Sequence, residues 1–262
     1  MRVLTGNAEV ASTDRGLHYG DGLFETLRCQ QGELPLIDAH LRRLSRGIER
    51  LAIVAVDLAS IRSELSLYAR HHRDADWIKL ILTRGSGTRG YAPPQTTVPN
   101  LVLSHGNLPA APERISVTIS DVPLPTQPLL AGIKHLNRLP QVLARQAAAD
   151  ACYEAMMCDA DGHIVCGIMS NVFARIDNQL VTPDTSQCGV DGVMREWVCE
   201  CASVNVRTLT QDDLQRASEL LLTNAVRGIV VVDDFEGRPM PAPSDATRDL
   251  ITRAPVIYRS VA

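Results

Sequence analysis

The chain has 262 residues, 45% hydrophobic, 21% charged and 4% aromatic, with a formal net charge of −4. That acidic balance argues against a nucleic-acid footprint, and no run reaches the ~20 apolar residues of a membrane span. The length suits one large domain or two smaller ones, with cores of Leu, Val, Ile and Ala.

In chain order, residues 22–29 (GLFETLRC) and 34–37 read as extended. Asp38 is placed to cap a helix running to about Leu51, with Leu41, Leu44, Ile48 and Leu51 at helical spacing. Arg42, Arg43, Arg46 and Arg50 share that helix, and of the adjacent pair Arg42 and Arg43 only one can face inward. A second helix is expected at 58–72 and strands at 77–83 and 100–104, joined by a Gly- and Pro-rich loop from Gly85 to Pro99. The stretch 105–114 (HGNLPAAPER) is a polar, Pro-containing break and the expected domain boundary. The strand ISVTIS follows, then a Pro-rich loop at 121–132 and a helix from about Leu139 to Ala151, with Pro140 tolerated in its first turn. Strand-like runs occupy 154–158, 163–166 and 171–176. The segment CGVDGVMREWVCECASV reads as a glycine-rich turn feeding a helix, and a last strand pair, 219–223 and 229–233, flanks TNAVRG. The fold class is α+β with mixed sheets in two domains, 1–110 and 111–262.

Seven cysteines at irregular spacing follow a start, MRVLTGNAEVASTDRG, with no apolar core of signal-peptide length. Reduced thiols in a cytoplasmic protein are expected. No His/Cys/Asp grouping has the spacing of a zinc site, so no metal is expected.

Only two lysines occur, Lys79 and Lys134, against 24 arginines. An amine that condenses with a carbonyl must be one of them, because arginine stays protonated. Lys79, within DADWIKLILTRG, reads as a strand lysine with its tip in solvent. Lys134, within LLAGIKHLNRLPQVLARQ, sits where an extended segment runs into a helix, a setting that positions a reactive amine better. Two turns are candidate anion cradles. In GVDGVMRE the amides of Val193 and Met194 open a helix; in TNAVRG, Thr223, Asn224 and Ala225 end a strand. Each alone is as well explained as an ordinary loop. Arg43, three residues after His40, supplies a bidentate cation of the kind a phosphate dianion needs.

The strings DRGLHYGDGLFETLR, AHLRRL, RGSGTRGY, GIKHLNRL, GIMSNVF, GVDGVMR and TNAVRG, in order from residue 14 to 228, resemble the fold-type IV pyridoxal-phosphate enzymes. These include branched-chain and D-amino-acid aminotransferases and 4-amino-4-deoxychorismate lyase. RGSGTRGY with GIKHLNRLPQVLAR is similar to the lyase branch, which makes 4-aminobenzoate and pyruvate on the way to folate. The resemblance implies a D-amino-acid-aminotransferase-like fold, pyridoxal 5'-phosphate as cofactor, a homodimer and an active site at the domain interface. It implies that Lys134 condenses with the cofactor and shuttles the substrate's α-proton. It also implies that Arg43, Val193, Met194, Asn224 and Ala225 hold the phosphate. Arg89 and Tyr91 match loop positions that help hold a substrate carboxylate, from across a dimer interface.

Two departures stand out. Family members usually carry a glutamate bonded to the pyridine nitrogen where this chain has Cys166, in IVCGIMSNVF. A thiol carries no charge unless its pKa is lowered, so the ring nitrogen loses its anionic partner. That handicaps transamination more than an elimination driven by aromatisation. Otherwise the enzyme is slow, a different glutamate serves the nitrogen, or the chain is a low-activity cofactor-binding paralogue. Phe24 stands where aminotransferase relatives carry tyrosine, which leans toward the lyase. The alternative is a D-amino-acid or branched-chain aminotransferase.

Overall fold

A period-2 alternation of buried and half-buried residues runs through 22–28, 77–83 and 100–103, and the computed structural model, which describes residues 1–110, 112–148 and 152–255, pairs these runs in one sheet. The first compact unit is Met1–Pro109 with Ile133–Asn137. It contains β1 (Arg2–Thr5), α1 (Arg15–Tyr19), β2 (Gly22–Arg28), α2 (Ile37–Arg50), α3 (Leu58–His71), β3 (Trp77–Thr83) and β4 (Asn100–Gly106). The sheet order is β1-β4-β3-β2, parallel between β1 and β4 and antiparallel elsewhere. Leu23, Leu27, Ile78, Leu80, Leu82, Leu101 and Leu103 form its buried face. Helices α2 and α3 cover that face with Leu41, Leu44, Ile61 and Leu65. On α2, Arg42, Arg46 and Arg50 are exposed and Arg43 is buried, which settles the inward-facing arginine.

The second unit runs from Ala110 to Gly132 and resumes at Arg138. Its elements are β5 (Ser116–Ile119), α4 (Leu139–Ala147), β6 (Glu154–Cys158), β7 (Ile164–Gly167), β8 (Asn171–Ile176), β9 (Gln179–Thr182) and α5 (Val193–Cys201). They continue with β10 (Val204–Val206), α6 (Gln211–Arg216), β11 (Glu219–Asn224), β12 (Gly228–Val231), β13 (Asp234–Phe235), β14 (Arg238–Pro239) and α7 (Asp245–Arg253). Two five-stranded mixed sheets, β10-β9-β8-β11-β12 and β14-β13-β5-β6-β7, share one core that includes Val117, Met156, Val172, Leu220, Leu222 and Phe235.

Several expectations change. Residues 34–37 are not extended: the amide of Ile37 donates to the Leu34 carbonyl, and Leu36 occupies the N-cap of α2 without a side-chain cap. Asp38 lies inside the first turn and pairs with Arg62. Ile133–Asn137 joins the first unit because the Phe24 amide donates to the Lys134 carbonyl and the Leu136 amide to the Gly22 carbonyl. The helix expected to reach Ala151 ends at Ala147, because the C-cap Ala148 turns extended (ψ 140°); residues 149–151 lie outside the described residues. Among the described residues no helix is long and apolar enough to cross a membrane.

One buried carboxylate fixes the loop-bearing end of the first sheet. Asp14 caps α1, accepting from the amides of Gly16 (2.7 Å) and Leu17 (3.3 Å). Its other oxygen accepts from Thr83 Oγ1 and Asn100 Nδ2, each at 2.7 Å. Removing it strands two buried side-chain donors, Thr83 and Asn100, each worth about 1–3 kcal/mol when left unmade, and takes the cap from two helix amides. Asp14→Ala is expected to lower stability by about 3–5 kcal/mol in urea titrations; a loss below about 1 kcal/mol contradicts this role.

Candidate active site

Lys134 owes its position to strand pairing. Leu23 and His135 form an antiparallel bridge, so Lys134 lies directly opposite Phe24 and shares its face of the sheet. The Lys134 ammonium sits 4.5 Å from the centroid of the Phe24 ring. Lys79 is diagonal to Phe24, in register with Thr26, and its ammonium is 5.2 Å from the same centroid. The expected solvent-facing tip is therefore corrected: Lys79 is half-buried over Phe24, because period 2 puts residues 24, 26, 79 and 81 on one face.

The opposite face holds a charge cluster that sequence alone did not assemble. Glu25, between Leu23 and Leu27, is buried and binds Arg43 through both oxygens: Arg43 Nε donates to Oε1 at 2.8 Å and Nη2 donates to Oε2. His40 Nδ1 donates to Oε2 at 2.6 Å, and its Nε2 is buried without a hydrogen-bond partner. Burial alone would raise the Glu25 carboxyl, but the Arg43 charge and the hydrogen bonds from Arg43 and His40 hold it at about 2. His40 is pushed down by burial against the pull of Glu25, with help from the charges of Arg43 and Lys134. A neutral His40 beside an ionised Glu25 leaves Arg43 as the counter-charge, in a fixed orientation.

The loop carrying Arg89 and Tyr91 is moored by Arg15. The Arg15 guanidinium donates to the carbonyls of Gly90 (3.1 Å), Tyr91 (2.8 Å) and Ala92 (3.4 Å), and its Nε donates to Asp21 (2.8 Å). Burial opposes ionisation of Asp21, and hydrogen bonds from Arg84 and Arg15 win, lowering its pKa. Arg89 is exposed, and Tyr91 is 85% exposed with its ring 5.4 Å from that of Tyr19.

In the second unit Val193 and Met194 open α5 behind the N-cap Gly192, which has no side-chain cap. First-turn amides have no partner within their own helix. Gly192 is required: a Cβ there would lie 1.9 Å from Asn171 Oδ1. Asn171 Nδ2 in turn donates to the Val190 carbonyl (2.9 Å), and the amides of Gly132 and Asp191 exchange bonds with Gly189 and Gly132. The second turn follows β11. Asn224 Oδ1 accepts from the amides of Val226 (3.0 Å) and Arg227 (2.8 Å), so this side chain shapes the turn. Thr223 Oγ1, one residue earlier, is buried without a hydrogen-bond partner. An orphaned buried hydroxyl beside such a turn fits a ligand oxygen.

Cys166 is 7% exposed in β7, in an apolar cluster with Leu124, Ala144, Met157, Val165 and Cys188. None of the seven cysteines forms a disulfide. Beside β7, on β6, stands the buried Glu154. Its Oε1 accepts from the Met169 amide and its Oε2 from Ser170 Oγ (2.8 Å). Burial raises its pKa against those bonds and the charge of Arg145. A Cβ on Gly167 would lie 2.7 Å from Glu154 Oε1, so Glu154 braces the Gly167–Ser170 turn.

Sequence reasoning missed Glu25, Glu154 and Arg15. Glu25 was visible as a lone acid among alternating apolar residues in LFETL; Glu154 and Arg15 carried no local signal, because their partners are distant in sequence. Asp159, Asp161 and His163 bring ligand atoms within 4.8 Å of one another, but Asp159 Oδ1 already accepts from the amides of Asp161 and His163 to close their own turn.

The chain is 32% identical over 230 residues to an aminodeoxychorismate lyase of Vibrio harveyi, covering 84% of each sequence. It is 32% identical over 247 residues to a putative branched-chain-amino-acid aminotransferase of Methanocaldococcus jannaschii, covering 88% of this chain and 84% of that protein. The crystal structure of 4-amino-4-deoxychorismate lyase from Pseudomonas aeruginosa superposes with a TM-score of 0.88 at 41% identity, covering 94% of each chain. Residues 22–235 match the amino-transferase class IV family, and the chain belongs to it.

Proposed function

We propose that this chain is an aminodeoxychorismate lyase that uses pyridoxal 5'-phosphate to convert 4-amino-4-deoxychorismate to 4-aminobenzoate and pyruvate. The observation that carries the reading is Lys134, held by strand pairing beside Phe24, in a chain 41% identical to a solved lyase. The residues present fit the cofactor. Lys134 offers the amine, the first-turn amides of Val193 and Met194 and the turn at Asn224 and Ala225 offer phosphate donors, and Thr223 Oγ1 adds an unpartnered hydroxyl. Arg43, locked by Glu25, is assigned to the phosphate as well. When bound, pyridoxal phosphate supplies an aldehyde that takes up the substrate amine and a ring that withdraws electrons.

Lys134 then serves as base. Its neutral amine accepts the proton from the ring carbon that bears the substrate nitrogen. The electron pair left behind forms a ring double bond as the neighbouring carbon–oxygen bond breaks. The ring becomes aromatic, and the departing enolpyruvate takes a proton to give pyruvate. Lysine ordinarily titrates near about 10.4, so a neutral amine needs a site that disfavours its charge. Phe24 offers no competing hydroxyl where relatives carry tyrosine.

Cys166 is assigned to the pyridine nitrogen. An uncharged thiol in an apolar cluster leaves that nitrogen without an anionic partner, which suits an elimination driven by aromatisation better than proton delivery to the cofactor. Tyr91, exposed at the tip of a moored loop, fits a residue that acts with Arg89 on the substrate of a second copy, and a homodimer is part of this reading. Seven cysteines without a disulfide fit a reducing cytoplasm. The rival reading, an aminotransferase, draws on the Methanocaldococcus relative; keto-acid-dependent turnover without pyruvate release would favour it.

Lys134→Ala is expected to abolish the bound-cofactor absorbance near about 410–430 nm and 4-aminobenzoate formation together, while Lys79→Ala keeps the absorbance; the reverse pattern sinks the assignment. Glu25→Gln removes a carboxylate whose folded pKa is depressed from 4.5 to about 2. A depressed acid stabilises the fold above its unfolded pKa, and that contribution fades as pH falls from 4.5 toward about 2. The wild type therefore loses stability across this window, and Glu25→Gln flattens that limb while weakening cofactor affinity by about tenfold or more. Equal acid limbs in the two proteins would contradict the tie. Cys166→Glu buries a carboxylate among apolar groups, so the cofactor-free protein is expected to lose about 2 kcal/mol. Saturating cofactor restores the difference if the side chain meets the ring nitrogen; a loss that cofactor leaves untouched removes Cys166 from the site.

A further inference from the structure

The two ends of the loop from Gly85 to Pro99 and the start of β1 line a cavity of about 360 Å³. None of the residues assigned to the cofactor or the substrate takes part in it. Its polar lining comes from Arg2 of β1, from Ser86, Thr96 and Thr97 at the loop's ends and from Asn100 of β4, and no acidic side chain lines it. Among the described residues the side chains of Arg2, Ser86, Thr96 and Thr97 make no hydrogen bond or ion pair. Thr97 Oγ1 is buried without a partner, so rotating it toward a bound acceptor gives up no existing bond. Asn100 is committed: its Nδ2 donates to Asp14 Oδ2 at 2.7 Å, and the Asp14 oxygens are in turn taken up by Thr83, Asn100 and the α1 amides. The walls are fixed by backbone. The Arg2 amide donates to the Pro99 carbonyl (2.8 Å), the Arg15 amide to the Gly85 carbonyl (2.9 Å) and the Gly87 amide to the Thr13 carbonyl (3.1 Å). Gly85 has φ +92°, and a Cβ there would lie 2.1 Å from the Val98 carbonyl oxygen, so the two ends of the loop touch backbone to backbone.

We propose that this cavity is an effector site for an oxyanion, the phosphate or carboxylate group of a small metabolite, and that filling it steadies the loop that carries Arg89 and Tyr91. One guanidinium and three hydroxyls with no acid among them select a group rich in acceptors, and arginine's planar fork matches an oxyanion's oxygens in pairs. The volume sits at the small end of ligand cavities and suits a compact metabolite. A bound oxyanion bridges Arg2 on β1 to Ser86 at one end of the loop and to Thr96 and Thr97 at the other, three segments joined otherwise by backbone bonds alone. Arg15 already holds the tip of the loop at the carbonyls of Gly90, Tyr91 and Ala92; the oxyanion holds its base. A ligand that fits only the ordered loop shifts the population toward it by its differential affinity. The effect on turnover rests on the proposed function, in which Arg89 and Tyr91 meet the substrate, whereas binding at the cavity stands apart from it.

The test uses the cofactor-loaded enzyme, in which the cofactor's phosphate occupies the two cradles proposed for it, with inorganic phosphate and succinate as probes. Calorimetry on the wild type is expected to show binding of at least one probe. Arg2→Ala weakens that binding roughly tenfold to a hundredfold, the loss of a charge-assisted hydrogen bond. Thr97→Val weakens it too, and Thr97→Ser, which keeps the hydroxyl, retains it. Binding of phosphate alone assigns the site to a phosphate ester, and binding of succinate alone to a carboxylate. Trypsin cleavage after the exposed Arg89 slows when the probe is bound to the wild type and does not slow in Arg2→Ala. In turnover the probe lowers KM for aminodeoxychorismate in the wild type; Arg2→Ala removes that response and keeps the probe-free rate. Failure of both probes to bind, or equal affinity in the wild type and Arg2→Ala, overturns the site. Binding that leaves cleavage at Arg89 untouched overturns its hold on the loop. A wild type that binds the probe and protects Arg89 but forms no 4-aminobenzoate overturns the proposed function instead.

Discussion

The antiparallel pairing of residues 134–136 with β2 decides which side chain meets the chemistry. Two backbone hydrogen bonds, from Phe24 to Lys134 and from Leu136 to Gly22, flank the Leu23–His135 bridge. Side chains alternate across a strand, so a slip of one residue would send Lys134 to the helix-covered face and put His135 over Phe24. The chain prevents this at both ends. Gly132 is stitched to Gly189 and Asp191 in the second unit, and Asn137 Nδ2 donates to the Gly20 carbonyl in the first (3.3 Å). The face that Lys134 occupies is thus set by backbone register, and register is harder to lose by mutation than a single hydrogen bond.

The two faces of that sheet divide the electrostatics. On the covered face Glu25, His40 and Arg43 form a dry cluster in which one carboxylate serves two donors. A buried ion pair of this kind adds little net stability, because desolvation offsets much of the attraction, yet removing one partner leaves an uncompensated charge. What it supplies is orientation: with both Glu25 oxygens bound, the buried Arg43 guanidinium is held in one direction. On the other face the ammonium groups of Lys79 and Lys134 stand near Phe24, beside Thr26 and Ile81. The acid that could have quenched them, Glu25, is turned inward by the same period-2 rule that turns Phe24 outward.

The long elements were legible because their signals are local. Helix α2, helix α3 and strands β2, β3 and β4 announce themselves by apolar spacing, and Arg43 could be separated from Arg42 by helical phase. The short elements were not. β1 exists because β4 offers it a parallel edge, and α6 because Thr210 and Asp213 close a capping box reinforced by Arg207. Neither leaves a periodic trace. The site divides in the same way. Lys134, the α5 turn and the TNAVRG turn stand out as motifs, whereas Glu154 holds partners 15 and 16 residues away and Arg15 moors a loop 75 to 77 residues away, a coupling that a single sequence does not display. Leu36 shows the limit of local reasoning: Asp38 looked like the cap because acids favour helix starts, but the turn from Leu34 to Ile37 starts the helix earlier.

Cys166 and Glu154 together show how the second unit tolerates an unusual residue. The loop after Cys166 does not depend on that side chain, because Glu154 holds the Met169 amide and the Ser170 hydroxyl from the neighbouring strand. Gly167 keeps the approach open, since any Cβ would press on the same carboxylate. Cys166 pairs with Met157 across the strands, so it lies on the face opposite Gly167 and Glu154 and packs in an apolar cluster with Met157 and Val165. In the lyase reading proposed above, a thiol at 166 suffices because the formation of an aromatic ring brings its own driving force.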